Sequence, residues 1–313
     1  MKFSVTIPAY KARYLKEAVE SVVAQTYQDW ELIIVDDCSP ENLRSIVEPF
    51  LNDHRIHYYR NERNCGAVNV VDNWNICLSY CTGEYVICMG DDDCLLPCCL
   101  EEYKYLITRH PQVNVIHGWT EIIDETGRVI ALQQPRPERE SALSLIWNRW
   151  NCREYQFIGD FCYKMAHLKE KSGYYKLPLA WGSDEITAVR AAMKNGIVNT
   201  QVYCFQYRMN DGSITSSNYA QIKIDATIQL YRWMKKYIDS IDIKQLNHID
   251  INYYYNLGRV TKRHFEKIGN ECSREMRGNP FMIYPLYRRL KIFGFPKRVY
   301  VKWYIKSLLE IFR

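Results

Sequence analysis

Two glycine patterns are missing from this chain of 313 residues, and each absence removes a class of chemistry. No G-x-G-x-x-G follows the first strand-like segment, and no G-x-x-x-x-G-K-[ST] occurs anywhere. An ordinary dinucleotide fold and a P-loop both need those glycines to bring backbone N–H groups against phosphate, so both are disfavoured. Any bound diphosphate would need a metal in place of a glycine cradle. No apolar run approaches the roughly 20 residues that span a bilayer. The opening MKFSVTIPAY reads as a strand without the regions of a secretory leader, so a reducing, cytoplasmic setting is expected. Cysteine is plentiful at twelve, yet Cys77/Cys81 and Cys94/Cys98/Cys99 lack paired C-x-x-C spacing and sit in apolar periodic segments. Buried free thiols are expected, not disulfides or zinc. The histidines, His167 included, show no metal-ligand spacing and are expected to be structural or exposed.

The length allows one large domain or two smaller ones, and the aromatic content is high, with 25 Tyr. A net charge of +5 is modest and argues neither for nor against nucleic acid; no nucleic-acid partner is expected.

What is present centres on Gly83 to Pro97, GEYVICMGDDDCLLP. Tyr85 to Met89 is a continuous apolar run of strand length, as in a strand buried on both faces. It runs into Asp91, Asp92 and Asp93. Three acids at the end of a buried strand repel one another and lose hydration together, and a hard cation, Mn²⁺ or Mg²⁺, relieves both costs. A solvated acidic turn is the plainer alternative. Before this stretch, Phe3–Ile7 reads as a strand stopped by Pro8, and 14–26 as a helix on Leu15, Ala18, Val19, Val22 and Val23. Trp30–Val35 is a second buried strand, ending at Asp36 and Asp37, with Ser39 placed to cap the next helix. Arg55–Arg60 is a third strand, and a helix to about Tyr80 follows Gly66. Four alternations of strand and helix predict a parallel sheet with helices on both faces. Ligands of such sheets bind at the carboxyl ends of the strands, where both acid groups would lie.

These residues resemble the inverting family 2 glycosyltransferases with the GT-A fold. The resemblance runs from about Lys2 to Ser217 and rests on five fragments in order: Ser4–Tyr10 (SVTIPAY), Ser21–Tyr27 (SVVAQTY), Glu31–Ser39 (ELIIVDDCS), Asn64–Gly66 (NCG) and Gly83–Val86 (GEYV). It implies an α/β fold with a Rossmann-like mixed sheet that binds a nucleotide sugar, UDP-linked by expectation. Pro8, Ala9 and Tyr10 would frame the base, with Asp37 accepting from the uracil ring and Asn64 in the glycine loop. Asp91 would face the ribose or sugar, and Asp92 would hold the cation, with Asp93 as a second ligand. The family often has D-x-D-D where this chain has Gly90 and three acids, so the ligand assignment within 91–93 is open by one position. The acid usual after the second-strand Ser is replaced by Pro40-Glu41, and the usual Arg-Asn pair reads Trp74-Asn75.

Farther on, 113–124 and 128–132 read as a hairpin about Glu125–Gly127, 133–139 as a loop and 141–150 as a short helix. Trp147 and Trp150 would stack on an acceptor sugar or pack on the sheet. The segment Gly173–Glu185 precedes a helix expected over Ile186–Asn195. It resembles the family's acceptor side, where an acid before a helix deprotonates the acceptor hydroxyl. Asp184 is the implied catalytic base and Glu185 the alternate; without the resemblance either would be an acid favouring a helix dipole. Tyr207-Arg208 and Gly212–Thr215 resemble a segment that ends near the donor.

A catalytic domain over 1–217, its nucleotide-sugar half to about 97, would be followed by a helical extension over 218–313, with helices near 218–240 and 243–268. Its end, Arg288–Arg313, carries eight basic residues against Glu310. Val301, Ile305, Leu308, Leu309 and Phe312 share one helical face, and Arg298, Lys302 and Lys306 another. Such a helix suits an anionic membrane surface, or packs on its neighbours with a solvated basic side. Lipid-linked acceptors, common in the family, favour the membrane. The expected function is metal-dependent inverting transfer to a saccharide or lipid-linked saccharide, in surface polysaccharide synthesis, by an enzyme peripheral to the inner face of the plasma membrane. A sugar-phosphate nucleotidyltransferase is disfavoured because no G-x-G-T-R type loop follows the first strand. A non-catalytic sugar-binding module is disfavoured because acids are present at all three sites.

Overall fold

The computed structural model describes residues 1–151, 155–210, 219–275, 287–288 and 297–309. Its first part is β1 (Phe3–Ala9), α1 (Leu15–Val23), β2 (Trp30–Asp36), α2 (Leu43–Val47), β3 (Ile56–Arg60), α3 (Val70–Tyr80) and β4 (Tyr85–Cys88). The four strands are parallel, in the order β3-β2-β1-β4. β2 is apolar almost throughout because it is covered on both faces. Leu32 and Ile34 enter the core with α1 and α2, while Ile33 and Val35 enter the core with α3.

Two local expectations change. β1 continues past Pro8 to Ala9. Thr6 O accepts from Met89 N, so Pro8, two residues on, faces the same side beyond the end of β4, and its missing N–H forfeits no ladder bond. The cap of α2 is Asn42, whose side chain accepts from Ser45 N, not Ser39. Ser39 instead donates its hydroxyl to Tyr10 O at 2.6 Å, tying two loops at the strand ends.

Beyond β4 the chain forms β5 (Cys94–Leu95), α4 (Cys99–Arg109), β6 (Val115–Ile123), β7 (Val129–Leu132), β8 (Arg139–Glu140), α5 (Ala142–Trp150), β9 (Phe161–Lys164), α6 (Met165–Glu170), α7 (Ser183–Ala192) and β10 (Ile197–Arg208). The sheet continues β4-β9-β6-β10-β5 and is mixed, since β9 runs antiparallel to both β4 and β6. The parallel arrangement predicted from strand–helix alternation holds for β1 to β4 and recurs in the β6–β10 pair, within the mixed sheet that the family resemblance implies. At four residues, β9 is too short to show an alternating pattern. The 124–128 hairpin forms as expected, with β7 antiparallel to β6.

At the opposite, amino-terminal edge, Glu31 is 3% exposed. It accepts hydrogen bonds from Lys2 Nζ, Ser4 Oγ, Thr82 N and Gly83 N, so one carboxylate joins the starts of three strands.

The helical part comprises α8 (Ala220–Asp239), α9 (His248–Glu275) and α10 (Lys297–Leu309). α8 shares the α7 core through Ile224, Ala226, Ile228, Leu230 and Met234. Trp147 tilts over Tyr253, and Trp150 stacks on His264, so both tryptophans pack against α9. α10 packs through Val299 and Tyr300, whereas Val301 and Ile305 are half exposed. The face expected to be apolar is thus the outward one where it is described; the side chains of Leu308, Leu309 and Phe312 lie outside the described residues. The ten cysteines with described side chains are free thiols; Cys77, Cys81 and Cys99 are buried as expected, whereas Cys94 and Cys98 are only partly buried. Among the described residues no helix is long and apolar enough to cross a membrane.

Candidate active site

The parallel register brings Ala9 beside Asp36 and Thr6 beside Cys88, so the residues leaving β1, β2 and β4 gather at one edge. Asp37 N donates to Ala9 O at 2.9 Å. The next two backbone N–H groups, of Tyr10 and Lys11, donate to Asp91 Oδ2 at 2.6 and 2.7 Å. The Asp36/Asp37 and Asp91–Asp93 groups, far apart in sequence, therefore flank a single loop.

The three carboxylates after β4 point to different partners. Asp91 is 7% exposed, and burial with the neighbouring Asp92 charge pushes it up to about 6, against the pull of the two N–H donors. Asp93 is buried and raised well above the ordinary range by burial and by Asp92, while Arg208 N donates to its Oδ1 at 3.0 Å. Asp92 is the most open, its Oδ2 accepting from Asn210 Nδ2 at 2.8 Å, with Lys11 Nζ 3.7 Å away. Asp92 Oδ1 and Asp93 Oδ2 each lie 2.8 Å from the point a Gly90 Cβ would occupy, so a side chain there would have to displace both carboxylates. Among the described residues no three His, Cys, Asp or Glu side chains form a ready metal cage. Two carboxylate oxygens sharing one space, with Asp93 raised in pKa, still form a donor set suited to a hard dication completed by phosphate and water.

One side chain, which the resemblance placed only in a segment ending near the donor, holds this turn. Arg208, 2% exposed, donates from Nε to Asp92 O, from Nη1 to Asp124 O and Glu125 O, and from Nη2 to Glu17 Oε2 at 2.6 Å. Its guanidinium also lies over the Tyr14 ring. Asp36 is consumed structurally, accepting from Ser39 N, Tyr58 OH and Arg60 Nη1. Asp37 accepts from Asn61 Nδ2 and Cys65 N, and Asn64 Nδ2 donates to its carbonyl, so the glycine loop is folded onto it. Among the described residues Asp37 Oδ2 accepts only a shared bond from Cys65 N at 3.1 Å and retains acceptor capacity. Pro8 is partly exposed and Ala9 buried, while the Tyr10 ring is 44% exposed beside this edge.

Asp184 lies inside the first turn of α7, which begins three residues earlier than predicted. The preceding turn is strained: Leu179 and Ala180 have φ of 59° and 53°, and Gly182 has 90°. A Cβ at Gly182 would meet Leu230 Cδ2 at 2.9 Å. Leu177 N donates to Ser183 Oγ at 3.0 Å and closes the turn. Glu185 is buried and committed, accepting from Arg149 Nε and Trp150 Nε1, both at 3.1 Å. Asp184 is half-buried and accepts no side-chain hydrogen bond among the described residues. Burial and the Glu185 charge push it up to about 7, with buried Asp160 adding to the rise. Asp160, which no motif in the sequence marks, is itself pushed up to about 8 by burial, with His117 Nε2 3.4 Å away. Gly212–Thr215 lie outside the described residues.

A mixed α/β sheet whose parallel strands β1, β2 and β4 gather acids at their carboxyl edge is the architecture of the GT-A fold. The chain belongs to glycosyl transferase family 2: the family model of that description matches residues 4–166. It is therefore a glycosyltransferase. It is 25% identical over 225 residues to the Escherichia coli UDP-Glc:alpha-D-GlcNAc-diphosphoundecaprenol beta-1,3-glucosyltransferase WfgD, covering 70% of this chain and 82% of that protein. The uncharacterized glycosyltransferase MJ1057 of Methanocaldococcus jannaschii is 33% identical over 44% of this chain and 47% of its own length. In fold, the chain is similar to S. aureus TarS 1-349, solved with UDP-GlcNAc (TM-score 0.60, 17% identity, 94% of this chain and 89% of that one). It is also similar to the mannosyltransferase PcManGT of Pyrobaculum calidifontis, solved with GDP-Man and Mn²⁺ (TM-score 0.57, 15% identity, 99% and 86%).

Proposed function

We propose that this enzyme transfers a hexosyl unit from a UDP-linked donor to a saccharide or lipid-linked saccharide, with inversion, in surface polysaccharide synthesis. Asp37, Asn64 and the Pro8–Tyr10 loop would receive the nucleoside, and Asp91 the ribose or sugar. Asp92 and Asp93 would hold Mn²⁺ or Mg²⁺, which when bound supplies positive charge to the diphosphate. The acceptor hydroxyl gives its proton to Asp184 as its oxygen attacks the anomeric carbon, and the bond from that carbon to the diphosphate oxygen breaks. Attack opposite the leaving group inverts the centre.

The observation that carries this reading is the contrast between adjacent acids. Glu185 is locked by Arg149 and Trp150, while Asp184 accepts no side-chain hydrogen bond among the described residues and is pushed up to about 7, as suits a general base at neutral pH. A lipid-linked acceptor is supported by the diphosphoundecaprenol-linked acceptor in the name of WfgD, and by α10, where Lys297, Arg298 and Lys302 are exposed beside Val301 and Ile305. The test is the anomeric configuration of the product from an α-linked UDP-sugar: a β-linked product fits the proposal, and an α-linked product contradicts it.

A further inference from the structure

Lys11 leaves β1 two residues after Ala9. Its N–H is fixed on Asp91 Oδ2, and its ammonium stands 3.7 Å from Asp92 Oδ2, the oxygen that Asn210 also contacts. The side chain is 38% exposed, so the charge is reachable from solvent. The neighbouring cations are engaged elsewhere: Arg208 on Glu17 and three carbonyls, Arg13 on Glu125, Arg60 on Asp36.

We infer that Lys11 is the protein's own cation for the departing diphosphate, resting on Asp92 until a nucleoside diphosphate enters. This rests on the donor reading above. A lysine ammonium is a point charge on a flexible stem, able to turn from a carboxylate to a phosphate oxygen a few ångströms away. When the bond from the anomeric carbon breaks, the electron pair stays on the diphosphate, and Lys11 holds that charge with no proton transferred. Two consequences follow. Nucleoside diphosphate binding keeps a metal-independent part, and in the empty site Lys11 competes with a dication for Asp92.

The test is titration calorimetry on the full chain, comparing the parent with Lys11→Gln and Lys11→Arg. The probes are UDP and GDP, each in EDTA and in Mn²⁺, and Mn²⁺ alone; melting temperatures confirm folding. Lys11→Gln should weaken diphosphate binding in EDTA about ten-fold, the worth of one charge-assisted contact. It should tighten Mn²⁺ binding to the nucleotide-free protein about five-fold, by removing a nearby like charge. Lys11→Arg should restore both values most of the way. A parent that binds diphosphate beside a Lys11→Gln variant unchanged in EDTA overturns the Lys11 assignment alone. A parent that binds neither nucleotide in either condition overturns the donor reading and this inference with it.

Discussion

Arg208 and Asp93 are joined through the backbone: the Arg208 amide donates to Asp93 Oδ1 at 3.0 Å, and the Arg208 guanidinium returns to the carbonyl of Asp92. The last residue of β10 thus fixes the turn that carries the acids of β4, while also clamping Glu17 on α1 and the hairpin at Asp124 and Glu125. Arg208→Lys keeps the charge but cannot span these partners with one planar fork. It should cost about 3 kcal/mol of stability, because buried carbonyls lose their donors. Urea unfolding measures this, and a loss below about 1 kcal/mol would show that the turn holds itself.

Asp184→Asn keeps the shape of the carboxyl group and removes the base. Transfer should fall about 10²–10⁴-fold while donor binding survives. The parent's kcat/KM should rise with pH through about 7, and that limb should vanish in the variant. Stability carries the matching sign. A carboxyl raised from its ordinary value to about 7 contributes stability that is present below pH 4 and lost as pH rises through 7. Asp184→Asn should therefore melt higher than the parent at pH 8 and similarly at pH 4.

Glu185→Gln tests the neighbouring acid by a different readout. Its carboxylate holds Arg149 and Trp150, so neutralising it should cost about 1–2 kcal/mol of stability. Transfer at a temperature where both proteins are folded should change much less than in Asp184→Asn. A larger rate loss in Glu185→Gln than in Asp184→Asn would exchange the two roles.

Glu31 makes a prediction about the fold alone. Its donors, Lys2 first among them, hold its pKa down at about 2 against burial. A lowered carboxyl contributes stability above its unfolded pKa near 4.5 and loses it as pH falls towards 2. Glu31→Gln should cost on the order of 2–3 kcal/mol at pH 7 and flatten the acid limb between pH 4.5 and 2. Identical acid-unfolding curves would remove Glu31 as the joint of β1, β2 and β4.

The exposed side of α10 should bind anionic vesicles in a salt-sensitive way, with about 1 kcal/mol from each basic residue near the surface. Truncation before Arg288 should release the enzyme from vesicles and spare donor hydrolysis. Equal binding to neutral and anionic vesicles would refute an electrostatic contact.

The sequence exposes the parts of the fold whose signals are local. β1 to β4 are legible as short, largely apolar runs ending at Pro8, Asp36, Arg60 and Gly90, and parallel order then carries Asp36, Asp37 and Asp91–Asp93 to one edge. The short antiparallel β9 is not legible from its own residues, and the mixed sheet it creates is implied only through the family resemblance. Arg208 escapes for another reason: its partner Glu17 lies 191 residues away, and no pattern around Tyr207 announces that contact. Asp160 reads as an ordinary acid before a strand, and its raised pKa comes from complete burial that only the folded chain creates. The Asp184/Glu185 choice could be named from the chain but not decided, because Arg149 and Trp150 reach Glu185 from another helix.

The most direct test of the account is a thermal-shift panel of nucleoside diphosphates and nucleotide sugars, with and without Mn²⁺, on the parent and on Asp92→Asn. A ligand that binds only the folded state raises its melting temperature. The account predicts that UDP and UDP-sugars raise the Tm of the parent, further with Mn²⁺, and that Asp92→Asn loses the Mn²⁺-dependent increment while its apo Tm stays near that of the parent. An undiminished Mn²⁺-dependent shift in Asp92→Asn, or no shift from any nucleotide in the parent, would contradict it.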